Sequence, residues 1–145
     1  MTATAQKLGF IGLGIMGAPM AQHLMAAGHT VFVNTRGQVP ADIAASKATV
    51  CASAAEVAAQ ADVIFMMVPD TPDVEKVLFA QGGVAEGLQN NGGAGKTVVD
   101  MSSISPMATK QFAAQINALG ADYIDAPVSG GEVGAKAASL TIMCG

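Results

Sequence analysis

Lys7-Leu-Gly-Phe-Ile-Gly-Leu-Gly-Ile-Met-Gly17 is the stretch that decides how this chain is read. A short apolar run of strand length leads straight into Gly12-x-Gly14-x-x-Gly17. Met16, Met20, Leu24 and Ala27 then recur at helical spacing, and Gly28 follows where a left-handed helix cap is needed. A strand, a glycine turn and a helix N-terminus in that order suit a dinucleotide pyrophosphate. Gly12 permits the tight turn, Gly14 lets the backbone approach the phosphates, and Gly17 lets the helix lie close to the strand. The free N–H groups and positive dipole end of that helix then face the anion. Gly12, Leu13, Gly14, Ile15, Met16 and Gly17 are therefore the expected cradle.

Outward from this motif, strand and helix alternate. The second strand is expected at 30–34, a helix near 40–46 and a short strand at 49–51. Ser53-x-x-Glu56 is a capping box that opens the next helix. Residues 62–68 are nearly all apolar, as a central parallel strand should be. Thr71-Pro72 predicts a helix to about residue 79, with Thr71 as its cap. Residues 82–96, rich in glycine and asparagine, read as an exposed loop. A strand at 97–100, a helix from Ser105-Pro106 to Gly120, and strands at 122–125 and 140–144 complete the series. Such repeated units predict one domain over residues 1–145. Its fold class is α/β: a Rossmann-type, doubly wound, mainly parallel sheet with helices on both faces.

Composition narrows the function classes. The residues are 51% hydrophobic and 12% charged, with a formal net charge of −4 and no basic patch, which argues against nucleic acid as a partner. No apolar run approaches the ~20 residues of a membrane span, and the N-terminus lacks a secretory pattern, so a cytoplasmic location is expected. Cys51 and Cys144 read as core thiols, and His23 and His29 share no ligand spacing, so no metal site is expected. His23 is expected to face outward. Gly95-Lys96-Thr97 resembles the end of a phosphate-binding P-loop, but the position for its earlier glycine is Asn90 and a strand follows.

The end of the second strand decides how an adenosine ribose is met. A carboxylate there binds a free 2′-hydroxyl, whereas an arginine accommodates a 2′-phosphate. The strand ends Val33-Asn34-Thr35-Arg36, and no acidic residue follows until Asp42. Arg36 suits a phosphate, and Asn34 or Thr35 adds a neutral hydrogen bond, so NADP is favoured. NAD stays usable if Arg36 merely stacks on the adenine. Asp70 and Asp73 read as first-turn residues that complement a helix dipole.

Gly9-Phe-Ile-Gly-Leu-Gly-Ile-Met-Gly-Ala-Pro-Met20 and Asp125-Ala-Pro-Val-Ser-Gly-Gly-Glu132 together resemble the β-hydroxyacid dehydrogenase family. Met67-Val-Pro-Asp-Thr-Pro72 and Asp100-Met-Ser-Ser-Ile-Ser-Pro106 look like the members that interconvert tartronate semialdehyde and glycerate. The resemblance covers nearly the whole chain. It implies that Thr35 and Arg36 meet the adenosine ribose, that Val68 and Pro69 pass beside the cofactor, and that Ser103 lies near the nicotinamide. It also implies that Ser129, Gly130 and Gly131 contact the carboxylate and hydroxyl of a small three-carbon substrate, with Ser129 orienting it. Pro69, Ser103 and Ser129 each follow an expected strand's carboxyl end, where ligands of open α/β sheets bind. Asp100 and Asp125 are expected in strand-end or capping roles. Other activities in the family are those of 3-hydroxyisobutyrate dehydrogenases and of glyoxylate or succinic semialdehyde reductases. A non-catalytic nucleotide-binding module is the alternative from another class.

The family's catalytic lysine lies in a Gly-x-Gly-x-x-x-Lys-x-x-Asn pattern within an all-helical second domain. No such pattern occurs in these 145 residues. The expectation is a first domain that binds nucleotide but has little reductase activity alone, with homo-oligomers formed only by the full-length enzyme.

Overall fold

A computed structural model describes residues 6–68, 70–102, 104–129, 131–137 and 141–142. β1 (Lys7–Ile11), β2 (Thr30–Asn34), β3 (Thr49–Val50), β4 (Val63–Met66), β5 (Thr97–Asp100) and β6 (Asp122–Asp125) form one sheet in the order β3-β2-β1-β4-β5-β6. Every neighbouring pair is parallel, and β1 is flanked by both β2 and β4: Ile11 is in register with Asn34 on one side and Met66 on the other. The order reverses between β1 and β4, and that switch point opens a crevice at the strands' carboxyl ends.

Alternation along the strands builds two cores. Phe10, Val31 and Val33 face one layer, where Ala18, Met20 and Leu24 of α1 (Gly17–Ala26) and Ile43 of α2 (Ala41–Ala44) cover them. Ile11, Phe32, Ile64, Met66 and Val98 face the other. That second layer is closed by α3 (Ala54–Gln60), α4 (Thr71–Phe79), α5 (Val84–Asn91) and α6 (Pro106–Ala118). Gly9 lets α3 come close, since a Cβ there would stand 2.5 Å from the Val57 side chain.

Local signals set several helix ends. Ser53 Oγ accepts the Glu56 N–H at 3.2 Å, and the Glu56 carboxylate accepts the Ala52 N–H at 2.8 Å. The capping box thus forms, with the return bond one residue earlier than the usual partner. Ser105 caps α6 with Pro106 at its first position. The cap of α4 is Asp70, not Thr71: its carboxylate accepts the Thr71 N–H at 2.7 Å. An ionised acceptor at this point outcompetes the neighbouring hydroxyl because it also complements the dipole.

The expected loop over 82–96 contains a helix instead. Val84 and Leu88, one turn apart, are buried together with Gly83 and Gly87, while Glu86 turns back to accept the Gly82 N–H. Glycine and asparagine favour loops locally, but α3 offers a surface that only a small-residue helix can approach, and burial overrides propensity. The expected terminal strand also differs. Thr141–Ile142 (β8) pairs antiparallel with Val128–Ser129 (β7), outside the main sheet, with α7 (Gly131–Ala137) between them.

His23 does not face outward. Its Nε2 lies 2.8 Å from the Ala135 carbonyl and 3.1 Å from that of Lys136, so α1 holds the end of α7. Lys96, the P-loop look-alike, donates to the carbonyls of Ala58 and Ala59 at the end of α3. There it complements the negative end of a helix rather than a phosphate. Cys51 is buried, and burial pushes its thiol up to about 11; Cys144 lies outside the described residues. No described helix is long and apolar enough to cross a membrane.

Candidate functional site

The crevice at the switch point holds a cavity of about 760 Å³. Gly12, Leu13, Gly14, Ile15, Met16 and Gly17 line its floor, Asn34, Thr35 and Arg36 one wall, and Val68 the side beyond β4. One glycine of the three differs from the others in what surrounds it. A Cβ on Gly12 would stand 2.1 Å from the Met67 carbonyl oxygen, and one on Gly17 would stand 1.9 Å from that of Gly12. Those two positions hold the turn shut. Gly14 has nothing within 4 Å of where its Cβ would be. The space beside it opens into the cavity.

Polar groups frame that opening. The N–H groups of Gly14, Ile15 and Met16 have no partner among the described residues, and no side chain caps α1. Thr35 Oγ1 accepts the Leu13 N–H at 3.3 Å and so ties the glycine turn to the end of β2. Asn34 donates its amide to the Cys51 carbonyl at 3.0 Å, which commits that side chain to β3. Arg36 is exposed, and its Nη1 lies 2.9 Å from Asp73 Oδ1. An exposed pair of this kind contributes about 0–1 kcal/mol, so it orients the guanidinium without fixing it.

Asp73, Lys76 and Val77 of α4 complete the wall facing Arg36, and Ser53 and the Gln81–Gly83 turn close the far end. The sequence reading assigned none of these to a site. Asp73 and Lys76 were findable in principle: they lie one turn apart on the helix that follows the switch-point strand. Pro69, Ser103 and Gly130 lie outside the described residues, as do the side chains of Ser129, at the end of β7, and of Glu132 in α7.

Beneath the crevice, Asp100 is buried at the end of β5. Its Oδ1 accepts the Ser102 N–H at 3.0 Å and its Oδ2 the Tyr123 hydroxyl at 2.7 Å. Ser102 Oγ in turn accepts the Val68 N–H at 3.0 Å, so one carboxylate braces the loops after β4 and β5. Asp100 thus has the strand-end role expected of it. Burial raises its pKa above the ordinary carboxylate value despite the lowering effect of these hydrogen bonds, and Asp125 is raised in the same sense by burial and by Asp100.

The sign of the pH effect follows. A carboxyl with a raised folded pKa favours folding while protonated; its contribution is full below the unfolded value and is lost as pH rises through the folded one. Stability is expected to fall as pH rises from about 4, and Asp100→Asn should flatten that slope. Urea midpoints of both proteins between about pH 4 and pH 7 measure it; an identical slope in the variant would refute the assignment.

Among the described residues, no cluster of His, Cys, Asp and Glu could hold a metal ion. The site's chemistry is that of backbone amides and three charged side chains, Arg36, Asp73 and Lys76. Comparison with known proteins points the same way. The profile of the NAD binding domain of 6-phosphogluconate dehydrogenase matches residues 7–145. The chain is 54% identical over 139 residues to the 2-hydroxy-3-oxopropionate reductase of Escherichia coli (strain K12), covering 96% of this chain and 46% of that protein. It superposes with a TM-score of 0.80 and 34% identity on the 3-hydroxyisobutyrate dehydrogenase of Mycobacterium tuberculosis with L-serine, over 98% of this chain and 47% of that one. A structure of Psf3 in complex with NADP+ and 2-OPP gives a TM-score of 0.85 at 30% identity, over 94% and 48%. The chain spans about half the length of the relatives it matches.

Proposed function

This chain belongs to the family of the NAD binding domain of 6-phosphogluconate dehydrogenase, and from that premise we propose that it is the nicotinamide-nucleotide-binding part of a β-hydroxyacid dehydrogenase. The observation that carries the proposal is the open face of Gly14 beside the uncapped start of α1, inside a cavity of dinucleotide size. The substrate is tartronate semialdehyde, interconverted with glycerate; the 54% identity to the 2-hydroxy-3-oxopropionate reductase favours it over 3-hydroxyisobutyrate. NADP is the favoured cofactor because Arg36, just after β2, lines the cavity and no acidic residue follows β2 until Asp42.

When bound, the nucleotide supplies or accepts the hydride. The residues of this chain bind and orient. The amides of Gly14, Ile15 and Met16 would hold the pyrophosphate, and Thr35 ties that turn to the end of β2 through the Leu13 N–H. Val68, braced through Ser102 by Asp100, forms the side of the cavity along which the nicotinamide half would run. By the family resemblance, Ser129, Gly130 and Gly131 would contact the substrate carboxylate and hydroxyl, Pro69 would pass beside the cofactor and Ser103 would lie near the nicotinamide. Proton transfer to the developing alkoxide falls to the family's lysine, whose pattern these residues do not contain.

The chain should therefore bind NADPH and not turn over. Titration with NADPH, read by its fluorescence and by amide shifts of residues 12–17, is expected to saturate. Incubation with NADPH and tartronate semialdehyde should consume cofactor at the uncatalysed rate, because general-acid help worth ~10²–10⁴-fold is lacking. Silent amides in that turn would refute nucleotide binding. Rapid turnover would show that the proton donor lies within these 145 residues.

A further inference from the structure

Asp73 carries an inference that deepens the proposed function and rests on it. Arg36 is the cation expected to meet an adenosine 2′-phosphate, yet its Nη1 donates to Asp73 Oδ1. The two residues reach the cavity from different elements: Arg36 from the loop after β2, Asp73 from the first turn of α4. The arginine side chain is 77% exposed and the aspartate only 21%. The carboxylate is the more buried member, and an exposed pair of this kind is weak enough for the guanidinium to leave it for a ligand. No acidic residue stands at the end of β2, where a dinucleotide fold usually keeps its acceptor for a free 2′-hydroxyl. Here α4 brings a carboxylate to the same end of the cavity.

We infer that Asp73 sets the nucleotide preference of this site, by competing with a 2′-phosphate for Arg36 and by accepting a hydrogen bond from a free 2′-hydroxyl. A 2′-phosphate that engages Arg36 must displace the carboxylate and then face its like charge. A free hydroxyl meets neither obstacle. Lys76, one turn further along α4, lines the same wall and gives a phosphate a second cation. Asp73 therefore tempers the NADP preference that Arg36 creates and keeps NAD usable.

The test titrates the wild-type chain, Asp73→Asn and Asp73→Glu with NADPH and with NADH. Asp73→Asn should raise the ratio of NADPH to NADH affinity by about tenfold, since a like charge and a competing acceptor both disappear. Asp73→Glu, which keeps the charge, should stay near the wild-type ratio. The inference is overturned if Asp73→Asn moves the ratio less than about twofold, or if both variants raise it equally. Thermal midpoints of all three proteins establish that they are folded. If wild type binds neither nucleotide, the binding proposal itself fails, and the role of Asp73 fails with it.

Discussion

Gly12→Ala is expected to destabilise the chain by about 4 kcal/mol. Gly12 has φ +98°, where an L side chain costs on the order of 1–3 kcal/mol. Its Cβ would also stand 2.1 Å from the oxygen and 2.8 Å from the carbon of the Met67 carbonyl. Neither atom can swing away like a side chain, because Met67 N–H is bonded to Ile11 and Gly12 N–H to Asn34. Relief requires β1 and β4 to separate at the switch point, which adds roughly 1–3 kcal/mol of overpacking. Against a total stability of about 5–15 kcal/mol, this should lower the thermal midpoint by roughly 10–15 °C. Gly14→Val is the companion measurement. With open space at its Cβ, it should leave the midpoint within a few degrees and weaken NADPH roughly 30-fold, through loss of charge-assisted contacts to the pyrophosphate. If the two variants behaved alike in both assays, the division of the motif into a structural and a ligand-facing glycine would be wrong.

Gly87→Ala gives the second large effect, and it discriminates sharply because two rules predict opposite signs. Within a helix, alanine is favoured over glycine by about 1 kcal/mol. In a loop the change would be close to neutral. The Gly87 Cβ, however, would stand 2.3 Å from the Ala55 carbonyl oxygen and 3.0 Å from its Cα, both backbone atoms of α3. Making room means prising α5 from α3, where Val57, Ala58, Val84 and Leu88 are buried together. A net loss of about 2–3 kcal/mol is expected, which a urea midpoint resolves readily. A stabilised variant would mean that α5 does not lie against α3 as described.

That second case shows why part of the fold was legible and part was not. The strands at 7–11, 30–34, 97–100 and 122–125 stand where the sequence predicts them; the first three are short apolar runs bounded by turn residues, while the edge strand 122–125 carries only Tyr123 and Ile124 between two aspartates. Capping at Ser53 and Ser105 was equally visible, since a cap is a bond between residues three apart. Residues 82–96 misled because their composition is that of a loop. Their helix exists because glycine is the only residue small enough to bring two backbones together, and that need belongs to α3. The β7–β8 hairpin was missed for a related reason: its partners stand 14 residues apart at Val128 and Ile142, and two-residue strands carry no pattern.

What the sequence determined alone is the order of strand and helix, the parallel sheet and the glycine turn at its switch point. Each is encoded by neighbours in the chain: periodicity, caps and the backbone freedom of glycine. Only the tertiary structure decided what faces that turn. Asp73 meets Arg36 across 37 residues, Asp100 reaches Val68 through Ser102, and His23 holds α7 across more than a hundred. These pairings depend on where separate elements come to rest, and side-chain electrostatics acts through space, not along the chain.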